Sequence, residues 1–217
     1  MRKRRIDRPT VSHEPPGRRP QPVGTRATPV GHPRYFVALL PDAEAARALA
    51  QLARGIAAEG GGRPLAAGDI HLTLAFIGAR EPSFGERLED AVAPLLETEP
   101  AWPPLLLTRL GRFGRARRPA LFWAGPDTIP DWLAGLSEEL RRALRAMPCE
   151  FDERPLVPHL SLVREARPEA APAPLLAPPI RVGAWRLAVG RNRPPGGRLR
   201  YAWSEPGARH ETVKSLS

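Results

Sequence analysis

The sequence lacks the features that mark secreted, membrane-spanning or zinc-binding proteins. It has one cysteine in 217 residues, Cys149, so no internal disulfide can form and no cysteine cluster can hold zinc. No run approaches the roughly 18 apolar residues that cross a bilayer, and no hydrophobic segment of a secretion signal follows the charged N-terminus. We therefore expect a cytoplasmic protein that does not enter membranes. Its hydrophobic content of 42% suffices for a sizeable core.

Three common catalytic and nucleotide-binding motifs are also missing. The sequence has no GxSxG nucleophile elbow, no GxxxxGK[ST] phosphate loop and no HExxH metal helix. Any chemistry must therefore come from other residues.

Positive charge is in excess, and most of it lies at one end. Residues 1–33 hold eight Arg or Lys against two acidic residues, a net charge of +6, which leaves +4 of the total of +10 for the rest. This segment also has seven prolines and almost no large apolar side chains, so it is predicted to be a disordered basic tail. Residues 34–204 are predicted to form the folded domain, and residues 205–217 a flexible C-terminal tail. Both basic parts are compatible with a polyanionic partner.

Strand-like and helix-like runs alternate through the predicted domain. The sequence predicts strands at 34–41, 69–78, 104–114, 119–126, 156–164, 180–191 and 199–204, helices at 42–62, 84–96 and 129–146, and a proline-rich linker at 167–179. This order predicts an α+β fold with mostly antiparallel sheet, and its two halves look like two versions of one unit.

Two similar tetrapeptides interrupt the apolar strands. HLTL begins at His71, and HLSL begins at His159, 88 residues later. Alternate side chains of a strand share a face, so each histidine lies beside a hydroxyl residue, Thr73 or Ser161, while the leucines face the other way. Each strand is therefore predicted to bury its leucines under helices and to present an imidazole and a hydroxyl on its open face.

Two imidazoles facing each other across a groove suit acid–base chemistry near neutral pH. One can be neutral and accept a proton while the other is charged and donates one, and the hydroxyls can bind the oxygens of a phosphate held between them. Two alternatives stay open from the pattern. The histidines can be ordinary residues of a sheet surface, or they can bind a metal, although no Asp, Glu or Cys stands at ligand spacing from either.

The two motifs, together with RYFVALLP near the start and FGRARRPALFWAG between them, resemble the 2H phosphoesterase superfamily. The resemblance covers about residues 34–204 and is strongest to the bacterial and archaeal RNA 2′,3′-cyclic phosphodiesterases, formerly named 2′-5′ RNA ligases. It implies a bilobal fold of two mostly antiparallel sheets with outer helices, related by a pseudo-twofold axis around a central cleft. It also implies that no metal and no organic cofactor is used.

The resemblance further implies hydrolysis of 2′,3′-cyclic phosphates, at RNA ends or on nucleotides, to 2′-phosphomonoesters. His71 becomes the proton donor to the departing 3′ oxygen, and His159 the proton acceptor that activates water. Thr73 and Ser161 bind the phosphate oxygens. Ser161 departs from the threonine common in the family, but it keeps the hydroxyl. The two motifs alone are too similar to decide which imidazole is the acid.

Arg164 and Phe76 each follow a motif histidine by five positions. Arg164 matches the arginine that ends the family's second motif and is assigned to substrate binding, with a surface ion pair as the alternative. Its odd offset points it away from the histidine face unless the strand has already ended there. Phe76 is placed on the histidine's face, where it stacks on a base or packs on the sheet.

Weaker predictions concern a basic turn and the aromatic residues. Arg118, with Arg115 and Arg117, is assigned to the RNA backbone, with a solvated loop as the alternative. Tyr201 fits the closing segment of the family, but a core tyrosine is favoured. The five tryptophans are assigned mainly to packing.

The expected partners are RNA ends or nucleoside 2′,3′-cyclic phosphates, and a monomer is expected. Ligation is the same chemistry run backwards, with a 5′ hydroxyl in place of water. Two further interpretations remain: a sister enzyme acting on another cyclic phosphate or on 2′-5′ linkages, and a module that binds RNA ends without turnover.

Overall fold

The computed structural model describes residues 31–96, 102–115, 117–170, 172–194 and 197–205. The predicted tails, 1–33 and 205–217, lie almost wholly outside these ranges. Within them, three helices form, α1 (Ala43–Gly60), α2 (Phe84–Val92) and α3 (Asp131–Arg145), with 3-10 turns at Ala67–Asp69 and Ala93–Leu96. The strands are β1 (Arg34–Pro41), β2 (Arg63–Pro64), β3 (Leu72–Ala79), β4 (Leu105–Phe113), β5 (Ala120–Gly125), β6 (Leu160–Ala166), β7 (Leu175–Val182), β8 (Trp185–Asn192) and β9 (Tyr201–Ser204).

The strands form one antiparallel sheet in the order β7-β4-β5-β6-β3-β1-β8-β9, with β2 paired to β6. The order is symmetric about its centre, because β6, β5, β4 and β7 on one side correspond to β3, β1, β8 and β9 on the other. The predicted α+β fold with pseudo-twofold halves is confirmed. The two expected sheets are joined edge to edge, since β3 and β6 pair at Leu72 and Leu160.

Helices cover one face of the sheet and link the two halves. Helix α1 packs against β6, and α3 packs against β3, so each long helix lies under the histidine strand of the other half. Leu72 and Leu160 are fully buried in one continuous hydrophobic core. Burying a leucine side chain contributes roughly 2 kcal/mol, so the two halves stabilise each other.

The first helix begins at a strong cap. The carboxylate of Asp42 accepts a hydrogen bond from the N–H of Ala45 (2.8 Å), and it also accepts from the N–H groups of Gly183 (2.8 Å) and Ala184 (3.2 Å). One side chain thus satisfies a free donor of the helix and fixes the turn that leads into β8.

Strand β3 contains a β-bulge. Thr73 and Ala75 pair with two consecutive residues of β1, so Leu74 is the extra residue between them. A bulge reverses the alternation of side chains beyond it. Phe76 therefore shares a face with Thr73, as predicted, although strict alternation would place it on the other face.

Strand β6 has the matching bulge. Ser161 and Val163 pair with two consecutive residues of β5, which leaves Leu162 as the extra residue. Arg164 thereby returns to the face of Ser161. The predicted condition, that the strand must end for Arg164 to face the cleft, is wrong, because β6 continues to Ala166.

Three segments differ from prediction. The proline-rich linker at 167–179 contains most of β7, and the single strand predicted at 180–191 is split between β7 and β8. Strand β7 tolerates Pro178 and Pro179 because it is the edge strand of the sheet, where a missing N–H breaks no ladder. The helix predicted at 84–96 changes to a 3-10 turn after Val92.

Candidate active site

The two motif histidines lie diagonally across from each other on the two central strands of the sheet. Each immediately precedes its strand, and Leu72 pairs with Leu160. In an antiparallel register, that pair brings His71 opposite Ser161 and Thr73 opposite His159. All four side chains lie on the face opposite the buried leucines. The predicted convergence of the two motifs on one cleft is therefore found.

The same backbone contact orients both imidazoles. Nδ1 of His71 lies 2.7 Å from the carbonyl oxygen of Asp69, and Nδ1 of His159 lies 2.8 Å from the carbonyl oxygen of Val157. A carbonyl oxygen only accepts, so Nδ1 carries a hydrogen in both rings. Nε2 of each histidine is then the nitrogen that can take up or release a proton.

His71 is the more enclosed of the two rings. Its side chain is 7% exposed, Phe36 stacks on it at 5.1 Å between centroids, and Tyr201 and Trp203 pack edge-on at 5.0 Å. The pKa of His71 is lowered to about 4, mainly by burial and to a smaller extent by the positive charges of Arg164 and His159, while the hydrogen bond to Asp69 opposes the shift. At neutral pH the ring is therefore uncharged in the free protein.

His159 has a more open setting. It is only partly buried, and it packs edge-on against Phe113 at 4.9 Å and against Trp123 at 6.4 Å. The two imidazoles, equivalent in sequence, thus have different access to water.

Thr73 and Ser161 complete the centre. Thr73 is partly exposed and Ser161 is 8% exposed. Within the described residues, neither hydroxyl has a hydrogen-bond partner, so both are available to a bound molecule.

Arg164 and Tyr201 form one wall of the cleft. Nη2 of Arg164 donates to the hydroxyl of Tyr201 (2.7 Å), and Nε of Arg164 is buried with no partner among the described residues. The carboxylate of Asp69, which is 2% exposed, accepts from the backbone N–H groups of Arg200 and Tyr201 and so fixes where Tyr201 begins β9. Among the described residues, Arg164 makes no ion pair with a carboxylate, and Tyr201 is a cleft residue rather than a core one.

Phe76 and Arg118, both assigned to substrate binding, differ in their position relative to the cleft. Phe76 pairs with Phe36, which stacks on His71, so Phe76 lies on the cleft face and is partly exposed. Arg118 is exposed in the turn between β4 and β5, where its N–H donates to the carbonyl oxygen of Arg115. The described contacts of Arg118 do not connect it to the two histidines.

Several aromatic residues lie against the two histidines, and the sequence did not predict this position for any of them. They are Phe36, Phe113, Trp123, Tyr201 and Trp203. Alternation in a strand is a signal for one pair of them, because Tyr201 and Trp203 stand two positions apart and so share a face. Trp123 and Trp203 are packing residues, as predicted, and the side chains that their indoles pack against include the two histidines.

The described residues contain neither a membrane-spanning helix nor a cluster of metal ligands. In the described part of the chain, no helix is both long enough and apolar enough to cross a bilayer. Within the same residues, His, Cys, Asp and Glu side chains do not gather in threes that could hold a metal ion. Cys149 is partly buried, and burial raises the pKa of its thiol.

Known proteins resemble this chain in sequence and structure. Residues 38–187, more than half of the chain, match the sequence profile of the 2′-5′ RNA ligase superfamily. Two curated relatives are named RNA 2′,3′-cyclic phosphodiesterase. The protein from Geobacillus stearothermophilus is 31% identical over 102 residues, which is 47% of this chain and 32% of the relative. The protein from Escherichia coli K12 is 35% identical over 105 residues, 48% of this chain and 56% of the relative.

The matched regions thus span 32% and 56% of the length of these two curated relatives. Among solved structures, that of E. coli LigT complexed with 3′-AMP has a TM-score of 0.61 and 27% identity. This match covers 80% of the present chain and 96% of the other.

Proposed function

Because the chain belongs to the 2′-5′ RNA ligase superfamily, we propose that it hydrolyses 2′,3′-cyclic phosphates, at RNA ends or on nucleotides, to 2′-phosphomonoesters. The observation that carries this proposal is the register of β3 and β6, which brings two imidazoles and two hydroxyls onto one face. The names of the two curated relatives and the 3′-AMP bound to E. coli LigT support the choice of substrate. The catalytic unit is residues 34–204.

The reaction is an in-line displacement at phosphorus. Nε2 of His159 takes a proton from water, and the water oxygen forms a bond to phosphorus. The bond from phosphorus to the 3′ oxygen breaks, and Nε2–H of His71 donates a proton to that oxygen. The product carries a 3′ hydroxyl and a 2′-phosphate, and a proton passing from His159 to His71 restores the starting state.

The remaining polar residues bind the phosphate. Thr73 and Ser161 donate to its non-bridging oxygens, and Arg164 supplies a positive charge beside them. Phe76 stacks on the base, and Arg118 contacts the backbone of a longer RNA. No metal or cofactor is needed for these steps, the protein acts as a cytoplasmic monomer, and a 5′ hydroxyl replacing water gives 2′-5′ ligation.

The low pKa of His71 bears on its role as the acid. A ring that is uncharged in the free protein must gain a proton before it can donate one. An anionic phosphate bound between His71 and Arg164 opposes the positive charge that lowers the pKa, so substrate binding favours the protonated ring. The reverse assignment, with His71 as base and His159 as acid, uses the same geometry and is the alternative within this mechanism.

Product identification tests the proposal. The protein is incubated with cytidine 2′,3′-cyclic phosphate in EDTA, and the product is identified by phosphorus NMR. A 2′-monophosphate is expected, and His71→Ala and His159→Ala should each slow its formation by about 10²–10⁴-fold. His32→Ala, which changes a histidine outside the cleft, is the matched control and should retain the wild-type rate.

Other outcomes identify the alternatives. Tight binding of RNA ends with no product supports a binding module. A rate that requires added divalent metal supports a metal site. Turnover restricted to 2′-5′ linkages or to other cyclic phosphates supports a sister enzyme.

A further inference from the structure

Gly190 of β8 lies between two aromatic residues on neighbouring strands. It pairs with Phe36 of β1 on one side and with Trp203 of β9 on the other. A Cβ atom at this position would lie 2.4 Å from the ring of Phe36 and 2.7 Å from the ring of Trp203. Real Cβ contacts are not this short. Both rings therefore occupy the space that any side chain at position 190 would need.

The same two rings enclose His71. Phe36 stacks on the imidazole at 5.1 Å and Trp203 packs edge-on at 5.0 Å. A methyl group at position 190 must displace at least one ring, and both rings lie against His71. The position of the imidazole thus depends on a residue that does not touch it.

The other half of the molecule repeats this arrangement. Gly111 of β4 pairs with Trp123 of β5, and a Cβ atom there would lie 2.2 Å from the indole. The indole contacts His159 at 6.4 Å, and Phe113, two residues along β4, contacts the same imidazole at 4.9 Å. In each half, an aromatic ring lies over a cross-strand glycine and supports the histidine of that half.

We propose that Gly190 and Gly111 are positioning residues for His71 and His159: by lacking a side chain, each lets an aromatic ring lie flat on the sheet and hold its imidazole toward the cleft. Glycine inside a strand is otherwise unfavourable and commonly marks a close approach by another group. Here that group is a ring that defines one side of the cleft. The kinetic part of this proposal rests on the proposed function, and the structural part does not.

Histidine NMR tests the structural part. Gly190→Ala and Gly111→Ala are compared in protein labelled at histidine, with resonances assigned through His71→Asn and His159→Asn. Gly190→Ala is expected to raise the pKa of His71 from about 4 toward 6.5, because displaced rings admit water, while the resonances of His159 stay unchanged. Gly111→Ala is expected to shift the resonances of His159 and leave those of His71 in place. An unchanged His71 pKa in folded Gly190→Ala overturns the proposal.

Kinetics test its consequence for the proposed reaction. Each glycine variant should lower kcat by about 10–100-fold with KM within about threefold, because a misplaced catalytic group affects chemistry more than binding. Gly55→Ala and Gly135→Ala are matched controls at exposed helix positions, where the new Cβ points into open space, and both should retain the wild-type kcat. A rise in KM with unchanged kcat contradicts positioning. If the wild-type protein turns over no cyclic phosphate, the proposed function fails while the NMR test still decides the structural part.

A double substitution separates positioning from general damage. If Gly190 acts through the ring of Phe36, Gly190→Ala should lower kcat much less in a Phe36→Leu background than in the wild type. If Gly190→Ala lowers kcat by the same factor in both backgrounds, the proposed link is overturned. Should Gly190→Ala fold too poorly for assay, Phe36→Leu alone keeps the glycine and is expected to raise the pKa of His71 in the same way. A His71 pKa unchanged by the loss of that ring also overturns the proposal.

Discussion

The buried state of His71 makes the stability of the fold depend on pH. The pKa of His71 is about 4 in the folded chain, against an ordinary value of 6.5. Above pH 6.5 the ring is neutral in both states, so it contributes no pH dependence. Between pH 6.5 and 4 the unfolded chain binds a proton that the folded chain does not. As the pH is lowered through this range, the free energy of unfolding falls by about 1.4 kcal/mol for each pH unit. Below pH 4 both states are protonated and this loss stops.

The predicted loss from this one group is about 2 kcal/mol at pH 5 and about 3 kcal/mol at pH 4. His71→Asn removes the titration while its amide N–H can still donate to the carbonyl of Asp69. Chemical denaturation of both proteins from pH 7.5 to 4 gives their free energies of unfolding. The contributions of carboxylates, which titrate in both proteins, cancel in the difference. The wild type should lose about 2 kcal/mol more than His71→Asn by pH 5. Parallel curves for the two proteins would show that His71 is not a buried neutral ring.

Three other predictions concern the cleft and the core. Arg164→Met should lower kcat/KM for a cyclic phosphate by about 10–100-fold, because a hydrogen bond to a charged group contributes about 1.5–3 kcal/mol; steady-state kinetics measure this. The same change removes a positive charge and should raise the pKa of His71, seen in histidine NMR. Leu160→Ala, at the residue that pairs the two halves, should cost about 2–5 kcal/mol of unfolding free energy in denaturant titration. The pH profile of kcat/KM should be bell-shaped, with limbs that belong to the coupled pair of histidines.

A specific result would contradict each of these three predictions. Leu175→Ala, at a side chain 70% exposed on the edge strand, is the matched control for Leu160→Ala and should cost under about 0.5 kcal/mol. An equal loss in both variants would contradict the shared core. A kcat/KM that is unchanged in Arg164→Met would remove Arg164 from phosphate binding. A flat rate profile from pH 5 to 9 would contradict the division of acid and base between two imidazoles.

The sequence predicts the centre of the molecule well because alternation in strands is a simple rule. His71 with Thr73, and His159 with Ser161, could be placed on one face of each strand from spacing alone. That the two strands meet could not be derived from either strand by itself. It followed from the resemblance to a bilobal family, and the register at Leu72 agrees with it.

The edges of the site could not be predicted in the same way. A bulge leaves no clear mark in a single sequence. Strict alternation therefore places Arg164 on the wrong face, and only the structure shows that the bulge at Leu162 returns it to the cleft. The difference between the two histidines depends on which aromatic side chains arrive from distant strands, as Trp203 does from β9. The prolines of residues 175–179 predict a linker, because proline is acceptable in a strand only at an edge and the order of strands is not visible in composition.

In the proposed reaction, His71 and His159 act on one shared phosphate. The most direct test of this claim is a titration of histidine-labelled protein with cytidine 2′-monophosphate, the expected product, followed by NMR. Both imidazoles should respond with the same saturation curve, and the pKa of His71 should rise in the complex because the phosphate is negatively charged. A response from only one of the two histidines, or two responses that saturate at different concentrations, would contradict the claim.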